Sequence, residues 1–136
     1  MAQNQHNTPI NILLADDDAD ERYIFGEAVK ALPIAISFKT VVDGTTLMDY
    51  LNHHLESLPD VLFLDINMPR KNGKECLIEI KSSQTLKHLT VIMYSVTKNE
   101  KEIDTLYLHG ANSFLKKDNY TSLIKGINQA LSLVAC

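Results

Sequence analysis

Residues 10–18, INILLADDD, contain the pattern that decides the fold: a short apolar run that ends abruptly in acidic residues. A run this short and this apolar is typical of a strand buried on both faces of a parallel sheet. Residues 61–65, VLFLD, repeat the pattern, and residues 89–95, LTVIMYS, end in a hydroxyl residue instead of an acid. These runs therefore predict buried strands with polar residues at their carboxyl ends.

Longer stretches with helical spacing of apolar residues separate the short runs. We predict strands at 10–15, 34–42, 61–64, 89–94 and 113–116, and helices at 19–32, 45–55, 74–82, 97–109 and 120–134. Thr97 and Glu100 have the spacing of a capping box at the start of the fourth helix. Because parallel strands need crossover connections and helices supply them, the alternation predicts a doubly wound α/β fold with helices on both faces of the sheet.

Composition limits the class of protein. The chain has 136 residues, 45% of them apolar, and a net charge of −4 with no Lys/Arg run longer than two residues, which disfavours nucleic-acid binding. No apolar stretch is long enough for a membrane span or a signal peptide. We therefore expect a cytoplasmic protein with a flexible N-terminal segment at 1–9, one domain at 10–136 and no output domain.

Polar residues cluster where the predicted strands end, which is the edge at which doubly wound sheets bind ligands. Three aspartates follow the first strand at 16–18, Asp65 follows the third, Ser95 the fourth and Lys117 the fifth. Carboxylates this concentrated repel one another unless a cation shares the site, and Mg²⁺ prefers such oxygen ligands. A carboxylate beside Mg²⁺, a hydroxyl and an ammonium also suits phosphoryl transfer onto an aspartate, with Asp65 as the nucleophile.

Four segments together resemble the receiver domain of two-component response regulators. They are DDD at 16–18, LFLDINMPRKNG at 62–73, Ser95, and GANSFLKK at 110–117, and the resemblance covers residues 10–134. It implies a flavodoxin-like fold with five parallel strands in the order 2-1-3-4-5. The loop RKNGKE and the approach to the fourth strand, SSQTLKHLT, look like stand-alone receivers that serve phytochrome-type and other hybrid kinases.

The resemblance assigns a phosphoacceptor and a metal site. It implies that Asp65 accepts the phosphoryl group and is one ligand of Mg²⁺. Asp17 would bind the metal directly, and Asp16 would support it. Asn67, two residues after the acceptor, would offer its backbone carbonyl oxygen to the same ion.

The resemblance also implies residues that respond to the phosphoryl group. Ser95 matches the hydroxyl residue that follows phosphorylation inward, and Lys117 matches the lysine that pairs with the acceptor. Phe114 matches the rotating switch aromatic, although a permanent core role fits its sequence pattern equally well. Asn67 and Thr97 occupy positions that influence the lifetime of the phosphoryl group.

One departure from the family pattern follows the lysine. Asp118 stands where the family usually has proline, often after a cis peptide bond. A cis bond before a residue other than proline costs about 2.5–4 kcal/mol, so we predict either a trans bond or a strained turn. Lys116 is adjacent, but strand alternation places its side chain on the other face of the strand, which favours Lys117.

The leading hypothesis is a stand-alone response regulator that accepts phosphate from a sensor histidine kinase or hybrid kinase. It would signal to a downstream protein through the face formed by the fourth helix, fifth strand and fifth helix, with a homodimer as one possibility. Beyond its own phosphorylation and dephosphorylation it would not be an enzyme. A receiver-like binding module that works without phosphorylation is the alternative, supported by Asp118. A phosphatase using Asp65 is a third reading, but it lacks the second acid of the haloacid-dehalogenase pattern.

Overall fold

The computed structural model describes residues 8–134 and shows a single parallel sheet with helices on both faces. The strand order is β2-β1-β3-β4-β5, and every neighbouring pair is parallel. The elements are β1 (Ile10–Ala15), α1 (Ala19–Lys30), β2 (Ile36–Val41), α2 (Gly44–Asn52), β3 (Val61–Asp65), α3 (Gly73–Ser82), β4 (Thr90–Ser95), α4 (Glu100–Leu108), β5 (Ser113–Lys116) and α5 (Tyr120–Leu131). The predicted doubly wound fold and strand order are confirmed. The predicted flexible N-terminal segment falls largely on residues 1–7, which lie outside the described residues.

Two apolar layers hold the helices against the sheet. Alternate residues of β3 face opposite layers: Leu62 and Leu64 pack toward α2, α3 and α4, whereas Val61 and Phe63 pack toward α1 and α5. All five residues of β3 are buried. This explains why β3 reads as a continuous apolar run, since a central parallel strand has no face toward water.

The start of α4 differs from the prediction. The N-cap is Asn99, whose side chain accepts a hydrogen bond from the Glu102 N–H at 3.1 Å. The Thr97 hydroxyl instead accepts from the Asn99 N–H, two residues on, at 3.2 Å. The predicted capping box at Thr97 is therefore wrong, because that hydroxyl closes a local turn before the helix begins.

Four other predicted elements, α1, β2, α2 and α5, extend two or three residues past an observed end. β2 begins at Ile36, not at residue 34, because Ile36 pairs with Ile10, the first residue of β1. The residues beyond each end of β2, Ile34 and Val42, are exposed. α2 ends at Asn52, three residues before the predicted end.

The loop after β3 folds back onto the end of that strand. The Gly73 N–H donates a hydrogen bond to the Ile66 carbonyl oxygen at 2.7 Å. A Cβ atom at Gly73 would lie 2.1 Å from the Asp65 carbonyl oxygen, so only glycine fits there. Asn72 and Glu75 then form a capping box at the start of α3. The Asn-Gly pair thus fixes the backbone on which Asp65 is held.

Candidate functional site

Three carboxylates meet at the carboxyl edge of the sheet. Asp16 and Asp17 directly follow β1, Asp65 is the last residue of the adjacent β3, and each offers an oxygen within 4.8 Å of the others. Asp16 and Asp65 are buried, whereas Asp17 is exposed. The Asp16 N–H donates to the Val41 carbonyl oxygen of β2 at 3.1 Å, so sheet pairing continues into the cluster.

Lys117 reaches the same cluster from the end of β5. Its Nζ atom lies 3.2 Å from Asp16 Oδ2 and 3.3 Å from Asp65 Oδ1, and it also donates a hydrogen bond to Glu21. Its side chain is only 12% exposed. Burial lowers the pKa of Lys117, but the hydrogen bond to Glu21 and the charges of Asp65 and Asp16 outweigh burial and raise it above its ordinary value. The ammonium is therefore a fixed positive charge of the site.

The electrostatics of Asp65 favour a bound cation. Burial raises the pKa of this carboxyl, Lys117 opposes the rise, and the negative charges of Asp16 and Asp17 add to it, giving a value of about 6. A divalent cation among these oxygens would offset both the desolvation and the repulsion of the ionised form. The donor set, all hard oxygen atoms, is the type that such cations bind in proteins. The cluster thus fits a divalent metal site.

The residues predicted to sense the phosphoryl group lie around this cluster. Within the described residues, none of them forms a hydrogen bond with the Asp65 side chain. Ser95 is the last residue of β4 and is buried, and its hydroxyl accepts from the Thr97 N–H at 3.2 Å. Phe114 of β5 is half-buried and packs against the layer of α2, α3 and α4. Asn67 is exposed in the loop after β3. The proposed roles of these residues remain predictions.

The turn after β5 is formed without a cis peptide bond. Every peptide bond within residues 8–134 is trans, including Lys117–Asp118. Asn119 follows and caps α5 by accepting a hydrogen bond from the Ser122 N–H at 2.9 Å. Lys116 is exposed at the end of β5, whereas Lys117 turns into the site. Of the two alternatives predicted for this bond, the structure has the trans bond, and Asp118 still leaves the lysine beside Asp65.

Two residues of the site were missed by the sequence analysis. Glu21, in the first turn of α1, contacts Lys117, and the ring centroid of Tyr94 lies 4.8 Å from the Lys117 Nζ atom. No sequence pattern marks either residue. Glu21 reads as an acid favoured by the helix dipole, and Tyr94 reads as an apolar strand residue. The first contact depends on where α1 lies relative to the end of β5, and the second joins β4 to the residue that follows β5.

The parallel sheet with carboxylates and a buried lysine at its carboxyl edge defines the class of receiver domains. Residues 12–128 match the response regulator receiver domain family, and the chain belongs to that family. This confirms the resemblance inferred from the motifs. No helix in residues 8–134 combines the length and the apolar character needed to cross a membrane.

Particular relatives sharpen this placement. The chain is 30% identical over 127 residues to the response regulator Rcp1 of Synechocystis sp., covering 90% of this chain and 86% of that protein. The crystal structure of the phosphorylated cyanobacterial phytochrome response regulator RcpA is similar with a TM-score of 0.83 and 30% identity, over 93% of this chain and 94% of that chain. The Mn²⁺-bound form of Rcp1 is similar with a TM-score of 0.77 and 28% identity, over 93% and 96% of the two chains. A relative that holds Mn²⁺ agrees with the fit of the acidic cluster to a divalent metal.

Proposed function

We propose that this protein is a stand-alone response regulator that accepts a phosphoryl group onto Asp65 from a partner histidine kinase, in a reaction that depends on Mg²⁺. The observation that carries the proposal is the surroundings of Asp65. A buried carboxylate lies with the oxygens of Asp16 and Asp17 within 4.8 Å and with the Lys117 ammonium at 3.3 Å. A nucleophile, metal ligands and a fixed cation at one edge are the parts that phosphoryl transfer onto an aspartate needs.

The transfer itself forms one bond and breaks one. An Asp65 carboxylate oxygen attacks the phosphorus of the kinase phosphohistidine, the P–N bond breaks, and its electron pair stays on the imidazole nitrogen that leaves. Lys117, whose Nζ atom lies 3.3 Å from Asp65 Oδ1, would pair with a phosphoryl oxygen. Asp16, Asp17, Asp65 and the Asn67 carbonyl oxygen would hold Mg²⁺, which when bound neutralises negative charge on the phosphoryl oxygens.

The response is proposed to pass through Ser95 and Phe114. The Ser95 hydroxyl, now held by the Thr97 N–H at 3.2 Å, would turn to the phosphoryl group, and half-buried Phe114 would move into the space it leaves. These movements would remodel the face of α4, β5 and α5. That face exposes apolar side chains, with Tyr107 46% and Leu108 85% exposed, which suits a protein partner or a second copy of the chain.

The partners are inferred from the relatives. RcpA is described as a phytochrome response regulator, and Rcp1 is similar to this chain over most of both sequences. We infer that the donor is a sensor or hybrid histidine kinase of the phytochrome type and that the protein meets it in the cytoplasm. Phosphorylation and dephosphorylation of Asp65 are the only reactions that we propose for this chain.

The test is to incubate the protein with acetyl phosphate, with and without Mg²⁺, and to measure its intact mass. We expect one phosphoryl group to be added only when Mg²⁺ is present, and none to be added to Asp65→Asn. Asp104→Asn, which changes an exposed carboxylate on α4, is the matched control and should be modified like the parent protein. Circular dichroism checks that both variants fold.

Two results would contradict the proposal. A folded, Mg²⁺-binding protein that gains no phosphoryl group would favour the binding module that works without phosphorylation. Rapid turnover of general phosphomonoesters would instead favour a phosphatase with Asp65 as a transient nucleophile.

A further inference from the structure

Glu21 contacts Lys117, and the proposed transfer does not use this contact. Its carboxylate accepts a hydrogen bond from the Lys117 ammonium, which also lies 3.2 Å from Asp16 and 3.3 Å from Asp65. A lysine ammonium has three protons to donate. Two of them are used in hydrogen bonds to Asp16 and Glu21, and the ammonium also forms an ion pair with Asp65, before any phosphoryl group arrives.

Phosphorylation of Asp65 would change the set of acceptors around the Lys117 ammonium. A phosphoryl group on Asp65 brings about −1.5 to −2 charges and three strong acceptor oxygens to the place where the carboxylate contacts Lys117 now. The Lys117 side chain is 12% exposed, so little water is available to it as a substitute partner. The phosphoryl oxygens replace the present contact with Asp65 and also compete with Asp16 and Glu21 for the remaining protons of the ammonium.

Exposure identifies Glu21 as the partner that can leave. The Asp16 side chain is 0% exposed, so loss of the ammonium would leave its Oδ2 atom buried without that partner, while Oδ1 keeps the hydrogen bond from the Asp18 N–H at 3.0 Å. The Glu21 side chain is 35% exposed, so water can solvate it after release. A cavity of about 110 Å³ also lies between the first turns of α1 and α5, lined by Glu21 and Lys117 among others, and gives both side chains room to move.

We propose that Glu21 is a positioning residue that holds the Lys117 ammonium in the unphosphorylated protein and competes for it with the phosphoryl group on Asp65. Release of Glu21 then couples the first turn of α1 to the phosphorylation state. The inference rests on the proposed function, because the competitor is the phosphoryl group itself.

Beryllofluoride, a stable mimic of a phosphoryl group on aspartate, measures the competition at equilibrium. Its binding in the presence of Mg²⁺ is followed by fluorine NMR in the full chain. Glu21→Gln removes the charge but keeps the length of the side chain, and Glu21→Asp keeps the charge but withdraws it by one methylene. Asp20→Asn changes an exposed carboxylate in the same turn and is the matched control.

We expect both Glu21 variants to reach half-saturation at about 3- to 5-fold lower beryllofluoride, the upper part of the range of a partly exposed ion pair. Asp20→Asn should stay within about 2-fold of the parent protein, since it contributes only screened charge. If Glu21→Gln and the parent protein reach half-saturation at the same beryllofluoride concentration, the inference is overturned. A Glu21→Asp variant that matches the parent would also overturn it, because charge near the site, not the contact with Lys117, would then set the affinity.

A second measurement separates this inference from the proposed function. Glu21→Gln, Lys117→Met and the double variant form a cycle in urea unfolding that needs no phosphorylation. Non-additive shifts in the unfolding midpoint are expected if Glu21 holds Lys117, and additive shifts would overturn that contact. A parent protein that binds no beryllofluoride while the cycle is non-additive would refute the proposed function and leave the contact standing.

Discussion

Replacement of Asp65 by asparagine should stabilise the metal-free protein at neutral pH, although it destroys the proposed phosphoacceptor. Burial and the charges of Asp16 and Asp17, opposed by Lys117, raise the pKa of Asp65 from 3.8 to about 6. One pKa unit corresponds to about 1.4 kcal/mol, so keeping this carboxylate ionised costs the folded protein up to about 3 kcal/mol. Water that reaches the exposed side of the cluster reduces this cost. We therefore expect Asp65→Asn to raise the free energy of unfolding by about 2 kcal/mol.

The sign of the pH dependence follows from the raised pKa. The folded protein binds the Asp65 proton more tightly than the unfolded chain does. The stability contributed by the neutral carboxyl is therefore present below about pH 4 and is lost as the pH rises to about 6. The stability that Asp65→Asn gains over the parent protein should be complete at about pH 7.5 and roughly half as large at about pH 5.

The assay is urea unfolding of both proteins with EDTA at these two pH values, and again with excess Mg²⁺. Added Mg²⁺ should reduce the difference between the free energies of unfolding of the two proteins at neutral pH, because it stabilises only the protein that keeps all three carboxylates. Asp104→Asn is again the control and should change stability little at either pH. If Asp65→Asn is less stable than the parent protein at neutral pH without metal, the electrostatic account of the cluster is refuted.

Three further predictions concern the turn after β3, the lysine of the site and the start of α4. Gly73→Ala forces the backbone away from the end of β3 and should lower the free energy of unfolding by about 2 kcal/mol or more in urea; an unchanged midpoint would contradict the close approach. Lys117→Met should slow phosphoryl incorporation from acetyl phosphate at least about 10-fold, whereas Lys116→Met should not; equal rates would remove Lys117 from the transfer. Asn99→Ala should cost about 1 kcal/mol of stability and Thr97→Ala clearly less, and the reverse order would reinstate the capping box that the structure rejects.

The sequence predicted the sheet because its central strands have no exposed face. In β3, every residue from Val61 to Asp65 is buried, so burial shows directly as an apolar run. The edge strand β2 was predicted less well. Its burial is partial, and its ends depend on where it pairs with Ile10 of β1, which no local pattern specifies.

The acidic part of the site was predictable for a related reason. In parallel strands the carboxyl ends meet at one edge, so an acid at the end of each of two apolar runs implies that Asp16 and Asp65 approach one another. The contact between Glu21 and Lys117 could not be predicted this way. It joins residues 96 positions apart through the side-chain reach of a helix and a loop, and neither residue type is unusual where it stands.

The proposed function requires the phosphoryl group to be placed on Asp65 and on no other carboxylate of the cluster. Phosphorylation with acetyl phosphate and Mg²⁺, followed by borohydride reduction of the acyl phosphate and tandem mass spectrometry, locates the modified residue directly. We expect the reduced position to be Asp65, in the peptide that contains β3 and the following loop. Modification of Asp16 or Asp17 in its place, or of a carboxylate outside the cluster, would contradict it.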